Sequence, residues 1–260
     1  MIRAKTKRLA RNVGGRAAAL LLAFLIPILG ARADKPVVLA APEGYPNTYV
    51  ENGEIKGFFA DLVREAFHRG NRAVEIRVLP WLRAIDAARY GHVDGMFVIF
   101  KSPEREPYFD YPAEPLIRFH ETVFVRAGPG SPDSFDLDQP YSRRIAIVSH
   151  SYHGPRVDPV LRSGRFPHLI EIDDYDTMVR MLTAGRIDLV IAVADPIAES
   201  AARLKLTDKI KRLPDLDQVP AYLVFTKDHD MSAEKKIFED GIRAMKADGT
   251  YDSLEKKYRK

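Results

Sequence analysis

VEIRVLPWLRAIDAARYGHVDGMFVIF, residues 74–100, carries the alternation that decides the fold class. Val74–Leu79 alternates apolar and polar residues, as a strand does when its side chains point to opposite faces in turn. Pro80 ends that strand. Trp81 to Tyr90 has the spacing of a short helix and stops at Gly91, and Gly95–Phe100 follows as an apolar strand. Strand, helix and strand in this order form the building unit of an α/β sheet.

The rhythm continues on both sides. Upstream, Val37–Ala41 reads as a buried strand, a turn-rich stretch runs from Pro42 to Gly57, and Phe58 to His68 has a helical apolar face stopped by Gly70. Downstream, strands are expected at Glu121–Arg126, Arg144–Val148, Leu169–Ile172, Ile187–Val193 and Ala221–Thr226. Helices are expected at Tyr175–Ala184, at Asp195–Arg203 with Asp195 as its cap, and at Ser232–Ala247. Gly128–Pro132 reads as a surface loop. The alternation predicts α/β architecture with largely parallel sheets.

The first residues point to a compartment. Residues 1–33 hold seven basic residues and no acid, and an apolar run from Ala17 to Leu29 ends at Ala31-Arg32-Ala33. A charged start, a short apolar run and a small-x-small site form the pattern of a secretory signal peptide cleaved after Ala33. The apolar run is shorter than the roughly 20 residues that span a bilayer, so no membrane span is expected after cleavage. The whole chain has 40 basic and 36 acidic residues, a net charge of +4. Without the leader, 33 basic residues face 36 acidic ones, a net of −3. The basicity therefore belongs to the leader and gives no reason to expect a nucleic-acid partner. With no cysteine anywhere, packing alone must hold a fold placed in an oxidising compartment.

Six ordered pieces resemble the family 3 periplasmic solute-binding proteins, the polar amino acid binders of ABC importers. They are Gly57-Phe58-Phe59-Ala60-Asp61-Leu62, Gly91-His92-Val93-Asp94-Gly95, and Ser102-Pro103-Glu104-Arg105 followed by Phe109-Asp110-Tyr111. Asp136-Leu137 with Arg144-Ile145-Ala146-Ile147, Gly185-Arg186-Ile187-Asp188-Leu189, and Gly249-Thr250-Tyr251 with Lys257-Tyr258 complete the set. Pro80-Trp81-x-Arg83-Ala84 resembles the pattern of an uncharacterised branch of that family. The resemblance implies a two-lobed, type II periplasmic-binding-protein-like clamp with a double-crossover hinge. Lobe 1 would be residues 34–116 plus 221–260, lobe 2 residues 117–220, and the hinge Pro115–Phe119 with Val219–Ala221. It implies a monomer, no cofactor and no metal, a small-molecule ligand, and the membrane permease of an ABC importer as partner.

The same resemblance nominates ligand-binding residues. Arg105 stands where the family holds a ligand carboxylate, a task that suits a planar fork of N–H donors with a permanent charge. On spacing alone it reads as a surface arginine paired with Glu104 or Glu106. Trp81 would form an aromatic wall, or pack between the lobes. Arg83 would be a second anion contact, or a solvated helix position. Glu43 and Tyr45 fall in the loop after the first strand, where family members line the pocket. Ser151 and Tyr152 belong to Ser149-His150-Ser151-Tyr152-His153, where an anion-binding loop is expected. His150 and His153 lack a third ligand in view, and we read them as loop histidines.

Two departures bear on the ligand. Val98-Ile99-Phe100 replaces the family's small, hydrogen-bonding strand end, which makes Phe100 a bulky pocket residue. Val193 stands where an acid usually pairs with an amino acid's ammonium, and an ammonium buried without that partner is costly. A small anionic or amino-acid-like solute is the expected cargo. No hydrolase, metalloprotease or phosphate-loop signature is present, so no catalytic residue is expected. Two alternatives share the fold: a cyclohexadienyl dehydratase-like enzyme, with Glu43 or Glu171 as its acid, and an accessory or sensor module of a periplasmic oxidoreductase system.

Overall fold

The computed structural model describes residues 35–139 and 142–258. The leader read at 1–33 lies outside the described residues. In chain order the elements are β1 (Val37–Ala41), β2 (Tyr49–Glu51), β3 (Glu54–Lys56), α1 (Phe58–Arg69), β4 (Val74–Val78), α2 (Trp81–Arg89), β5 (Gly95–Phe100), β6 (Phe109–Asp110) and β7 (Ile117–Arg126). They continue with β8 (Ile145–Val148), α3 (Gly154–Leu161), β9 (Leu169–Ile172), α4 (Tyr175–Thr183), β10 (Leu189–Val193), α5 (Ala194–Arg203), β11 (Ile210–Arg212), β12 (Asp217–Thr226), α6 (Ser232–Ala247) and α7 (Thr250–Tyr258).

One sheet runs in the order β4-β1-β5-β12-β7-β10-β8-β9, with β6 added beside β12 and β11 beside β7. Its two ends are parallel: β1 pairs with β4 and β5, and β8 pairs with β9 and β10. Its middle is antiparallel, because β7 and β12 run in opposite directions between the ends. The expected parallel pairing therefore holds at the ends only. Asp217–Ala221 pairs with Ile117–Glu121, so both strands begin earlier than their apolar runs suggest. Beyond this ladder β7 goes on to pair with β10, and β12 with β5.

Core residues follow strand alternation. Val37, Leu39 and Ala41 face one cluster with α1 and α6, while Ala40 faces another with Ala84 and Ala88 of α2. Ile145, Ile147, Leu189 and Ile191 face a third cluster, and Ala146, Val190 and Ala192 a fourth with α4 and α5. Strands covered on both faces read as continuous apolar runs, which is why these were legible. The buried members of the first two clusters come from residues 37–119 and 219–245. Those of the other two come from 123–216. The division falls at the β7–β12 ladder.

Helix α1 buries Phe58, Phe59, Leu62, Val63 and Phe67, each worth about 1.5–3 kcal/mol of apolar burial. Phe67 meets Phe225 of β12 and Phe238 of α6. Two helices were missed in the sequence: α3, whose Pro155 and Pro159 argue against one, and the polar terminal α7. Helix α5 starts one residue earlier than expected. Its N-cap is Val193, with no side-chain cap bond, so Asp195 does not cap it.

Gly241 sits in the middle of α6 for a steric reason. A Cβ there would lie 2.2 Å from the Ala66 carbonyl oxygen of α1. Alanine is a better helix former by about 1 kcal/mol, but overpacking against backbone costs about 1–3 kcal/mol. Gly241→Ala is therefore expected to lower the urea midpoint of unfolding with an unchanged denaturant slope.

Candidate functional site

A cleft of about 360 Å³ opens between the loop after β5 and the β8–α3 segment. Ser102, Glu104 and Arg105 line one side. The other side is formed by His150 to His153, by Asp158 of α3 and Arg162 at its C-cap, and by Glu171 of β9.

Arg105 is the central cation. Its side chain leaves the turn after β5, where its backbone N–H donates to Ser102 O at 3.0 Å. One Nη donates to the Phe100 carbonyl at 3.0 Å, and the guanidinium carbon lies 5.4 Å from the Trp81 ring centroid. These contacts fix the guanidinium without neutralising it, and it makes no ion pair among the described residues. Burial holds its pKa below the ordinary arginine value, with Tyr111 and Glu104 acting in the opposite direction. A largely desolvated cation that faces a cleft favours an anion there.

The opposite wall rests on Asp158. One carboxylate oxygen accepts the His153 backbone N–H at 3.3 Å, and the other accepts from Nε of Arg162, the C-cap of α3, at 2.5 Å. Hydrogen bonding and charge from Asp158 raise the Arg162 pKa. Arg162 is thus occupied by its own helix. Glu104 has its pKa lowered, by its own backbone N–H first and by Ser102 next. It stands at the exposed rim, as does Glu171.

Behind this wall lies a buried pair. His153 Nδ1 and Glu121 Oε1 are 2.7 Å apart, with side chains 3% and 1% exposed. Glu121 Oε2 and His153 Nε2 have no hydrogen-bond partner among the described residues. Burial pushes the Glu121 carboxyl up, against the downward pull of His153. Gly154 lets the chain turn here. Its φ is 88°, and a Cβ would meet Val219 Cγ2 at 2.5 Å, so α3 begins directly against β12.

Val98 stands out in the backbone. Its φ is 68°, rare for a β-branched residue. The β5–β12 register shifts between Tyr222 and Leu223, which leaves Val98 as an extra residue in β5. Phe97 and Val98 consequently both pack on the first core cluster, and Phe100 returns to that side.

Of the residues the sequence pointed to, the structure brings Arg105, Ser151 and Tyr152 into the cleft lining. Trp81 lies beside the Arg105 guanidinium, and Phe100 is buried with its carbonyl bound to Arg105. Glu43, Tyr45 and Arg83 are exposed and do not line this cleft. Tyr152 and Val193 also pack against the first core cluster, although their chain neighbours belong to the other half. Sequence reasoning missed Glu121 and Asp158. The available signal for Glu121 was a lone carboxylate at the start of the strand run Glu121–Arg126, next to the apolar Val123–Val125, a place where a charge needs a partner.

The family profile of the bacterial extracellular solute-binding proteins, family 3, matches residues 37–260, and the chain belongs to that family. It is similar to the amino-acid-binding protein AabA of Dichelobacter nodosus, with 24% identity over 84% of this chain and 85% of the relative. Among solved structures, a histidine kinase sensor domain with similarity to periplasmic binding proteins superposes with a TM-score of 0.74. It is 20% identical over 87% of this chain and 97% of that one. The arginine-, lysine-, histidine-binding protein ArtJ of Geobacillus stearothermophilus gives 0.69, at 20% identity over 86% and 95%. These likenesses show the periplasmic-binding-protein-like fold. No helix among the described residues is long and apolar enough to cross a membrane.

The wall makes a stability prediction. Asp158→Ala strips the buried His153 N–H of its acceptor, a loss of about 1–3 kcal/mol. A lower Tm with intact far-ultraviolet circular dichroism at room temperature is the expected result.

Proposed function

We propose that this family 3 solute-binding protein works in the periplasm, captures a small anionic or amino-acid-like solute in the Arg105 cleft, and delivers it to an ABC importer. The observation that carries the reading is Arg105 itself: held by Phe100 O and Trp81, facing the cleft, and without an anionic partner among the described residues. A guanidinium fixed in this way takes a carboxylate through parallel N–H donors. Ser151 and the backbone of the β8–α3 turn supply further polar groups on the opposite wall.

Capture follows from a clamp. In this reading residues 34–116 with 221–260 form one lobe and residues 117–220 the other. The hinge lies where Val219 pairs with Phe119 and Ala221 with Ile117. Support comes from the core clusters, which divide on either side of this ladder, and from the cleft, whose two walls come from the two divisions. Hinge closure would bring the walls together and bury the solute. Binding needs no proton transfer or bond making, and the protein acts by affinity alone.

A thermal-shift screen against small organic acids and amino acids finds the ligand, because a molecule that prefers the folded state raises Tm. With that ligand, Arg105→Ala is expected to weaken binding by about 2–5 kcal/mol in calorimetric titration, the cost of removing one partner of a buried charged pair. Unchanged affinity would remove Arg105 from the site. Turnover of the ligand, seen by mass spectrometry, would overturn capture in favour of catalysis.

A further inference from the structure

The crossing ladder is closed in the same way at both ends. At one end Leu116, the residue before β7, donates its backbone N–H to Ala221 O at 2.8 Å. At the other, Leu216, the residue before β12, donates its own to Glu121 O at 2.8 Å. Each leucine carbonyl is then held by a side chain from a helix. Tyr251 of α7 donates its hydroxyl to Leu116 O at 2.8 Å, and Arg156 Nη1 of α3 donates to Leu216 O at 2.6 Å. The two leucines are buried in different cores. Leu116 belongs to the cluster of α1 and α6, and Leu216 to the one that holds Ile145 and Leu189.

The chain outside each leucine is fastened too. Before Leu116, the Ala113 N–H donates to Glu239 of α6 at 2.8 Å, and Glu114 pairs with Lys246 of α6 at 2.8 Å. The Tyr251 ring stands edge-on to Phe58 of α1, which fixes its hydroxyl in place. Before Leu216, the Leu213 N–H donates to Val123 O, and Thr122 Oγ1 donates to Leu213 O, both at 2.8 Å. Between these fastened ends the ladder is thinner. A third strand joins it at Glu121, which pairs with Val193, and at Ala221, which pairs with Phe100. Among the described residues none joins at Arg118–His120 or Gln218–Pro220, so the middle is a two-stranded ribbon. Such ribbons twist further than wider sheets.

We propose that Tyr251 and Arg156 are positioning residues for capture: each ties one end of the crossing ribbon to its own lobe, and bending is confined to the two-stranded stretch between them. The inference rests on the capture reading and names the parts that make closure repeatable. Neither side chain lines the cleft, and both act through the backbone they hold. Arg156 shares α3 with Asp158, so this anchor and the cleft wall move as one piece. With both ends fixed, Arg105 and the opposite wall meet at one separation. Without the hydroxyl or the guanidinium, bending spreads outward past the leucine, and the walls meet over a range of separations.

The test is the distance distribution between the lobes of the ligand-free protein, read by double electron–electron resonance. The sequence has no cysteine, so spin labels attach only at Asp86→Cys on α2 and Arg180→Cys on α4, both exposed positions. Tyr251→Phe keeps the ring on Phe58, and Arg156→Met keeps the aliphatic stem. Each is expected to widen the distribution roughly twofold. Two controls are expected to leave it unchanged: Tyr258→Phe, which loses a hydroxyl bond to Asp61 from the same α7, and Arg165→Met, which loses a bond to Asp138 O. Amide hydrogen exchange gives a second reading, with the Leu116 N–H in Tyr251→Phe and the Leu216 N–H in Arg156→Met exchanging about tenfold faster. An unchanged width or unchanged leucine exchange in either anchor variant, or equal widening in the controls, overturns the inference. That outcome leaves the capture reading standing if the thermal-shift screen still yields a ligand sensitive to Arg105→Ala. A screen with no such ligand counts against capture itself.

Discussion

Five residue pairs of antiparallel ladder, Ile117–Glu121 against Asp217–Ala221, are the constraint on which the rest depends. These strands carry the chain from one part of the core to the other and back. They also fix the register of the neighbouring ladders: β7 leads into the β10 pairing, and β12 into the β5 pairing. Gly154 sets α3 against Val219 of the same ladder. The cleft wall is therefore anchored to the crossing strands, and a shift at the crossing reaches His153 and Asp158 directly.

Much of the fold was legible because the strands are covered on both faces. Val37–Ala41, Gly95–Phe100 and Leu169–Ile172 appear with the limits their sequences suggest. What was hidden has local physical causes. The first residues of β7 and β12 include Arg118, His120, Asp217 and Gln218, which are stabilised as strand by each other's backbone and not by burial. Helix α3 was masked by two prolines. Pro155 sits at the start, where a missing N–H is harmless, and Pro159 forgoes one internal bond that Asp158 offsets by tying the first turn to Arg162.

The site was legible in part, and for a different reason. Arg105 could be singled out because its motif is local: Ser102 to Arg105 lie within one turn, and Ser102 accepts the Arg105 backbone N–H. Glu121 and His153 are 32 positions apart, and nothing in either neighbourhood names the other. Only the packing of α3 against the crossing strands brings them to 2.7 Å. Val98 shows the same limit on a smaller scale. A valine gives no hint of a left-handed backbone, and the bulge that imposes it depends on the register with Tyr222 and Leu223.

The division of the core has a consequence for the order in which this chain can fold. Residues 123–216 contain both clusters of their half and form one continuous length of chain. The other half is interrupted: Phe67 is covered by Phe225 of β12 and Phe238 of α6, and Phe58 by Tyr251 of α7, all of which come from the end of the sequence. Synthesis from the N-terminus leaves these phenylalanines uncovered until almost the whole protein has been made. Closing contacts over such a sequence distance is slow. The middle of the chain can settle first, while the first core waits for its last helices.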